Sequence, residues 1–225
     1  MILGDIIQAN ILRNEGMKLF LRTIKDACIT HLMPEKEKIQ IFETAKQKAE
    51  QILKNNSLIF PYVVELVSFP LFDRSKKKMT IDYYFTSIAT YDKETYDKIS
   101  NHYGTIVIRV NKNCLNKGSN LILFCILHEY AHGIYELFEP YVVLSDNGLR
   151  TKDITLNTID YIYCNSPYFE KRSKDDLENK KETFCHTIAH YLIDGNIQLS
   201  KQKVDQNKLN QACEEMLQSY KEAIK

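Results

Sequence analysis

The chain lacks the features that would tie it to a nucleic acid, a membrane or an oxidising compartment. Its 225 residues include 30 Lys and Arg against 29 Asp and Glu, so the net charge is only +1. That balance gives no overall electrostatic attraction to nucleic acid or to an anionic membrane. The longest uninterrupted apolar run has seven residues, at 121–127, whereas a membrane-spanning helix needs about 18 or more. We therefore expect the protein to bind neither nucleic acid nor a membrane.

The six cysteines form no Cys-x-x-Cys pair. The first residues show neither a basic leader nor a long apolar stretch, so we expect no secretory signal. A chain of this size and composition does not need a disulfide framework to fold. The sequence therefore predicts a cytoplasmic protein with reduced thiols.

The pattern of apolar residues predicts an α+β fold. Hydrophobic residues make up 44% of the chain and charged residues 26%, which is ordinary for a globular protein with a real core. Helices are predicted over residues 5–31, 34–55, 179–194 and 204–224, and strands over 58–69, 79–90 and 105–111. We expect an N-terminal helical extension at 1–57, followed by the main domain at 58–225. Residues 141–178 are predicted to form a long connection after a turn near Glu139-Pro140.

The segment 121–133 reads Leu-Ile-Leu-Phe-Cys-Ile-Leu-His-Glu-Tyr-Ala-His-Gly and contains the pattern His-Glu-x-x-His. Residues four apart on an α-helix lie about 6 Å apart along its axis and near one face. His128 and His132 can therefore share one tetrahedral zinc ion. Glu129 projects beside that face, where its carboxylate can accept a proton from water that the metal has made acidic. Hydrogen-bonded core histidines are the structural alternative, but buried polar groups need partners, and a shared metal supplies one.

A catalytic zinc ion usually has three protein ligands and one open position. On the helix predicted downstream, Glu182 shares a face with apolar residues, which makes it the best candidate for the third ligand. His186, one turn later, is either a hydrogen-bond partner of a ligating imidazole or the alternative ligand. His190 is a less favoured alternative. A thiolate ligand at Cys185 is also open, although a buried cysteine ordinarily acts as a small apolar residue.

These segments resemble the ImmA/IrrE metallopeptidases, a family of small gluzincin-like enzymes. The strand Ile106-Val-Ile-Arg-Val-Asn111 ends in Asn, as theirs commonly does, and leads to the His-Glu-x-x-His helix. The segment Glu182-x-x-Cys185-His186-x-Ile188-Ala189-x-x-Leu192-Ile193 is similar to their second helix, Glu-x-x-Ala-Asn-x-Phe-Ala-x-x-Leu-Leu-Met-Pro. The chain departs from that pattern at His186 and at Asp194-Gly195. The resemblance covers roughly residues 60–195.

The resemblance implies a minimal zincin-like domain, in which a small three-stranded sheet packs on the His-Glu-x-x-His helix between N-terminal and C-terminal helices. It implies His128, His132 and Glu182 as the ligands of one Zn²⁺ ion, with Glu129 as the general base. Members of the family cleave transcriptional repressors, so the resemblance implies a protein or peptide substrate of that regulatory kind.

The sequence thus predicts a zinc-dependent metallopeptidase that hydrolyses a peptide bond. Hydrolysis also needs a hydrogen-bond donor for the tetrahedral oxyanion, and Tyr161, Tyr163, Tyr168 and His190 are the candidates. The alternative is a catalytically silent zincin-fold protein with a binding or regulatory role. A purely structural zinc site is disfavoured, because four Cys or His ligands usually close such sites.

Overall fold

Helices make up most of the described part of the chain, and a small sheet lies among them. The computed structural model describes residues 21, 24–58, 62–67, 89–91, 106–144, 153–168, 176–197 and 205–223. The helices are α1 (Glu35–Asn55), α2 (Ser119–Leu144), α3 (Asp153–Asn165), α4 (Asp176–Asp194) and α5 (Gln206–Ala223), with a 3-10 helix at Lys112–Lys117. The strands are β1 (Tyr62–Val67), β2 (Ala89–Tyr91) and β3 (Ile106–Asn111). This architecture is α+β, as the sequence predicts.

The sheet has the strand order β1-β3-β2. β1 and β3 are parallel, with Tyr62 opposite Ile106 and Val67 opposite Asn111. β2 adds a short antiparallel pairing on the other side of β3. Most of the second predicted strand, residues 79–88, lies outside the described residues.

Helix α2 runs through the centre of the core. Among its described side chains, seven have no solvent exposure: Ile122, Ile126, Leu127, Tyr130, Ala131, Ile134 and Tyr135. A helix that is apolar on nearly all sides is stable in water only when other elements surround it. The sheet packs against it through Tyr62, whose ring meets that of Tyr130 edge to face at 5.5 Å. α2 is thus held from several directions, which fixes the side chains it carries.

Helix α1 belongs to the same hydrophobic core. Phe42, Ala45, Ala49 and Leu53 are buried at helical spacing and join the cluster that surrounds α2. The helix ends at Asn55, as predicted, and Leu58 N beyond it donates to the carbonyl of Leu53 at 2.8 Å. The division of the chain at residues 57 and 58 stays a prediction.

A helical segment at residues 24–32 docks on the 3-10 helix through polar contacts. Thr30 Oγ1 donates to the carbonyl of Asn113 at 3.0 Å, and Asn116 Nδ2 donates to Asp26 at 3.1 Å. The predicted helix over residues 5–31 lies mostly outside the described residues.

The predicted long connection at 141–178 and the turn near Pro140 are wrong. α2 continues to Leu144, and α3 occupies residues 153–165. A proline inside a helix removes one backbone hydrogen bond and crowds the preceding turn. α2 nevertheless remains helical across Pro140. α3 buries Ile159 and Ile162, a helical spacing that its tyrosine-rich sequence obscures. The helices predicted at 179–194 and 204–224 are confirmed within a few residues. Within the described residues, no helix is both long and apolar enough to cross a membrane.

Candidate metal centre

Helices α2 and α4 run antiparallel, so successive turns of the two face each other. Near one end, Lys181 Nζ lies 2.7 Å from Oε1 of Glu136. Near the other end, the rings of Phe124 and His190 have centroids 4.8 Å apart. Between these contacts, the His-Glu-x-x-His turn of α2 faces Glu182 of α4.

Three predicted ligands meet at one point. The Nε2 atoms of His128 and His132 are 3.1 Å apart. The carboxylate of Glu182 places Oε2 at 3.4 Å from His128 Nε2 and Oε1 at 3.3 Å from His132 Nε2. Two donors that each lie about 2.0–2.1 Å from a tetrahedral zinc ion are about 3.3 Å from each other. The two Nε2 atoms are therefore separated by about the length of one edge of such a tetrahedron, and each of them has one oxygen of the Glu182 carboxylate at a similar distance.

Both imidazoles are nearly inaccessible to solvent, since His128 is 8% exposed and His132 is 7% exposed. Burial is the main cause that lowers the pKa of His132 well below its ordinary value. The neighbouring His128 lowers it further, while Glu182 opposes the shift. His132 is therefore neutral near pH 7, and neutral imidazole is the form that binds a metal.

Glu129 lies beside the ligand set. One of its carboxylate oxygens is within 4.8 Å of ring nitrogens of both His128 and His132, and the side chain is partly buried. A carboxylate at this distance can reach a water molecule that approaches the open side of the site. The position suits the role of general base that the sequence predicts for it.

Two further side chains of α4 contact the imidazoles. Cys185 Sγ lies 3.3 Å from Nδ1 of His132, and burial raises the pKa of this thiol well above its ordinary value, with Glu182 adding to the shift. The ring of His186 meets that of His128 edge to face, with centroids 4.6 Å apart. A nitrogen of His186 is also within 4.8 Å of donor atoms of His128 and Glu182. The structure thus leaves His186 close enough to serve as a further ligand.

An open cleft of about 740 Å³ adjoins the centre. Among the side chains that line it are Leu121, Phe124, Tyr168, His186, His190 and Ile193. The ring of Phe124, which lines this cleft, packs against the ring of His128, with centroids 6.1 Å apart. The metal centre and the cleft therefore share a wall.

The four candidates for the oxyanion donor lie in different places. Tyr168 stacks flat on His190, with centroids 4.0 Å apart, and both line the cleft. Burial lowers the pKa of His190, and Asp194 opposes the shift, so its neutral ring keeps one N–H donor. Tyr161 instead lines a recess formed by α3 and α5, and Lys180 covers the ring of Tyr163. The geometry favours Tyr168 and His190 over the other two.

The chain matches no protein-family model, and no curated protein or solved structure shows significant similarity to it. The family therefore stays a prediction. The geometry of the described side chains carries the functional interpretation.

Sequence reasoning brought His128, Glu129, His132 and Glu182 to one place, and the structure assembles all four there. The sequence does not predict the contact between Cys185 and His132. The sequence predicts Cys185 as a small apolar residue or as a thiolate ligand, whereas its sulfur lies beside Nδ1 of His132, across the interface between the two helices. The antiparallel alignment of α2 and α4 is the only signal that would have placed it.

Proposed function

We propose that the chain is a zinc-dependent metallopeptidase with a zincin-like fold of the ImmA/IrrE type. The single observation that carries the proposal is the donor triangle formed by the side chains of His128, His132 and Glu182. The two Nε2 atoms are 3.1 Å apart, and the two carboxylate oxygens of Glu182 lie 3.4 Å from His128 Nε2 and 3.3 Å from His132 Nε2, one oxygen to each. Two imidazoles and one carboxylate are the ligand set of several catalytic zinc sites, which keep a fourth position for water. The neutral state of His132 also suits the proposal, because a protonated imidazole cannot bind a metal.

His128, His132 and Glu182 would hold the metal, and the packing of α2 against α4 keeps them in place. A bound zinc ion supplies Lewis acidity, which polarises a carbonyl and lowers the pKa of water to about 7. Glu129 then accepts a proton from the attacking water and delivers it to the amine that leaves when the peptide bond breaks. Tyr168 or His190 on the cleft wall would donate a hydrogen bond to the oxyanion.

The substrate would be a protein or peptide chain that enters along the open cleft. A transcriptional repressor is the first kind of substrate to test, because the sequence resembles a family that cleaves such proteins.

The decisive test replaces the general base. Glu129→Gln keeps the side-chain shape and removes the proton acceptor, so zinc content should stay at the parent level while hydrolysis falls at least about 100-fold. Zinc is measured by mass spectrometry of the purified protein, and cleavage by the appearance of new termini in a peptide library. Glu178→Gln is the matched control, since Glu178 is an exposed carboxylate on α4. Cleavage by Glu129→Gln at the parent rate would refute the mechanism.

A second candidate is a zinc-holding binding protein with the same fold and no turnover. The position of His186 favours it, because a fourth protein donor would close the site to water, as in structural zinc sites. Under this alternative, His186→Ala weakens zinc binding as strongly as loss of Glu182 does, and the zinc-loaded parent cleaves nothing. Under the peptidase proposal, His186→Ala changes zinc affinity much less than loss of Glu182.

A further inference from the structure

The two ligating imidazoles are held in different ways at the ring nitrogen that faces away from the donor triangle. The Nδ1 atom of His132 lies 3.3 Å from Cys185 Sγ, and both side chains are buried. The Nδ1 atom of His128 has no hydrogen-bond partner among the described residues. Its ring packs instead against the rings of Phe124 and His186.

The position of His132 indicates which of its ring nitrogens would bind the metal and which would carry the hydrogen. Its Nε2 atom points at His128 and Glu182, where a metal donor has to present a lone pair. A neutral imidazole carries a single N–H, so with a metal bound at Nε2 that hydrogen sits on Nδ1. The atom that Nδ1 faces is the sulfur of Cys185, which can accept a weak hydrogen bond.

We propose that Cys185 is a positioning residue of the metal centre, whose sulfur accepts a hydrogen bond from Nδ1–H of His132. The contact holds the imidazole in the tautomer that leaves Nε2 free to bind the metal, and it fixes the plane of the ring. Partners of this kind commonly orient metal-binding histidines, although a carboxylate or a carbonyl is the usual acceptor. Cys185 is not itself a ligand, because its sulfur meets the imidazole at the nitrogen remote from the donor triangle. This inference rests on the proposed zinc site.

The first test measures zinc affinity in three variants by competition with a coloured chelator. Cys185→Ala removes the acceptor and should weaken zinc binding by about 10–100-fold. Cys185→Ser keeps an acceptor at nearly the same position and should restore affinity to within a few-fold of the parent. Cys213→Ala is the matched control, because Cys213 is equally buried but lies on α5, outside the donor cluster. Parent-like affinity in Cys185→Ala would overturn the proposal.

Cobalt substitution separates a positioning role from direct ligation. Thiolate ligation to Co²⁺ produces a strong sulfur-to-metal charge-transfer band in the near ultraviolet. We expect no such band in the cobalt-loaded parent, and a shift of the visible bands in Cys185→Ala as the ligand field distorts. A charge-transfer band that disappears in Cys185→Ala would make Cys185 a ligand and overturn the proposal.

A measurement on the zinc-loaded parent tests the hydrogen bond without any variant. Nitrogen-15 NMR of the histidine rings reports which ring nitrogen carries the proton. Hydrogen on Nδ1 of His132 is the expected result, and hydrogen on Nε2 would overturn the proposal even if the Cys185 variants failed to fold. If the zinc-loaded parent shows the expected tautomer and yet cleaves no peptide, the proposed function fails while the contact between Cys185 and His132 stands.

Discussion

The helix pairs α2–α4 and α3–α5 bury different chemistry. The described residues that α5 buries in the core are Leu209, Ala212, Cys213, Met216, Leu217 and Tyr220. The α2–α4 interface also contains buried apolar residues, but at its centre two imidazoles face a carboxylate and a thiol. Among the described residues of these two interfaces, only those of α2–α4 bring metal-binding groups together.

The two interfaces differ in what burial contributes to the free energy of folding. Burial of apolar area stabilises α3–α5 directly, at about 25 cal/mol per Å². Burial of imidazoles and a carboxylate costs free energy unless partners compensate for the lost water. A divalent cation at the donor triangle would compensate, and its binding would stabilise the folded state. The two interfaces should therefore respond differently to mutation, metal and pH.

The largest expected effect follows from removing a metal ligand. Glu182→Gln keeps the shape of the side chain and removes its charge, so zinc affinity should fall by more than about 100-fold, the upper cost of losing an outer partner alone. Isothermal titration with zinc measures the change, and Glu178→Gln on the exposed side of α4 serves as the control. Parent-like zinc affinity in Glu182→Gln would show that a different group completes the site, and His186 would be the first alternative ligand to test.

A core truncation should act on stability alone. Met216 on α5 has no solvent exposure, so Met216→Ala leaves a cavity and should lower the free energy of unfolding by about 2–5 kcal/mol. Urea denaturation measures this loss, and zinc affinity of the folded variant should match the parent because distant sites act independently. A fall in zinc affinity comparable to that of Glu182→Gln would break the distinction between the two interfaces.

The smallest expected effect is the pH dependence of the stability of the metal-free protein. The pKa of His132 is lower in the folded protein than in the unfolded chain, so between the two values the unfolded chain binds more protons. Stability should therefore rise with pH through this window and be lost as pH falls below about 6.5. His190 contributes in the same direction, because its pKa is also lowered.

Urea midpoints of the chelator-treated protein across this pH range measure the effect. His132→Gln should flatten the dependence, whereas His31→Gln, at an exposed position, should leave it unchanged. An identical slope in the parent and in His132→Gln would show that other groups account for the acid sensitivity.

Much of the architecture could be predicted from local sequence. The spacing of Phe42, Ala45 and Ala49 predicts α1, and the apolar run before His128 predicts a buried α2. The errors arose where local signals conflict with the tertiary structure. Pro140 suggests a turn, although α2 continues through it, and the tyrosine-rich segment at 153–165 gives no clear helical period, although it forms α3.

Some features of the candidate site could likewise be predicted from local sequence, and others depend on the tertiary structure. The i, i+4 spacing of His128 and His132 and the position of Glu129 follow from helix geometry, which is a local property. The placement of Glu182 could be proposed from the face it shares with apolar residues. The distance from Glu182 to the imidazoles could not be predicted, because that distance depends on how α4 lies against α2.

The sequence by itself determined the chemistry available to this protein: a histidine pair with an adjacent glutamate on a buried helix, and a second helix with a carboxylate on its apolar face. Only the tertiary structure decided that the helices pair antiparallel, that Glu182 closes the donor triangle and that Cys185 meets Nδ1 of His132. The physical reason is that spacing along a helix depends on neighbouring residues alone. Contacts across an interface depend on how the surrounding core positions two helices that are some 50 residues apart in the chain.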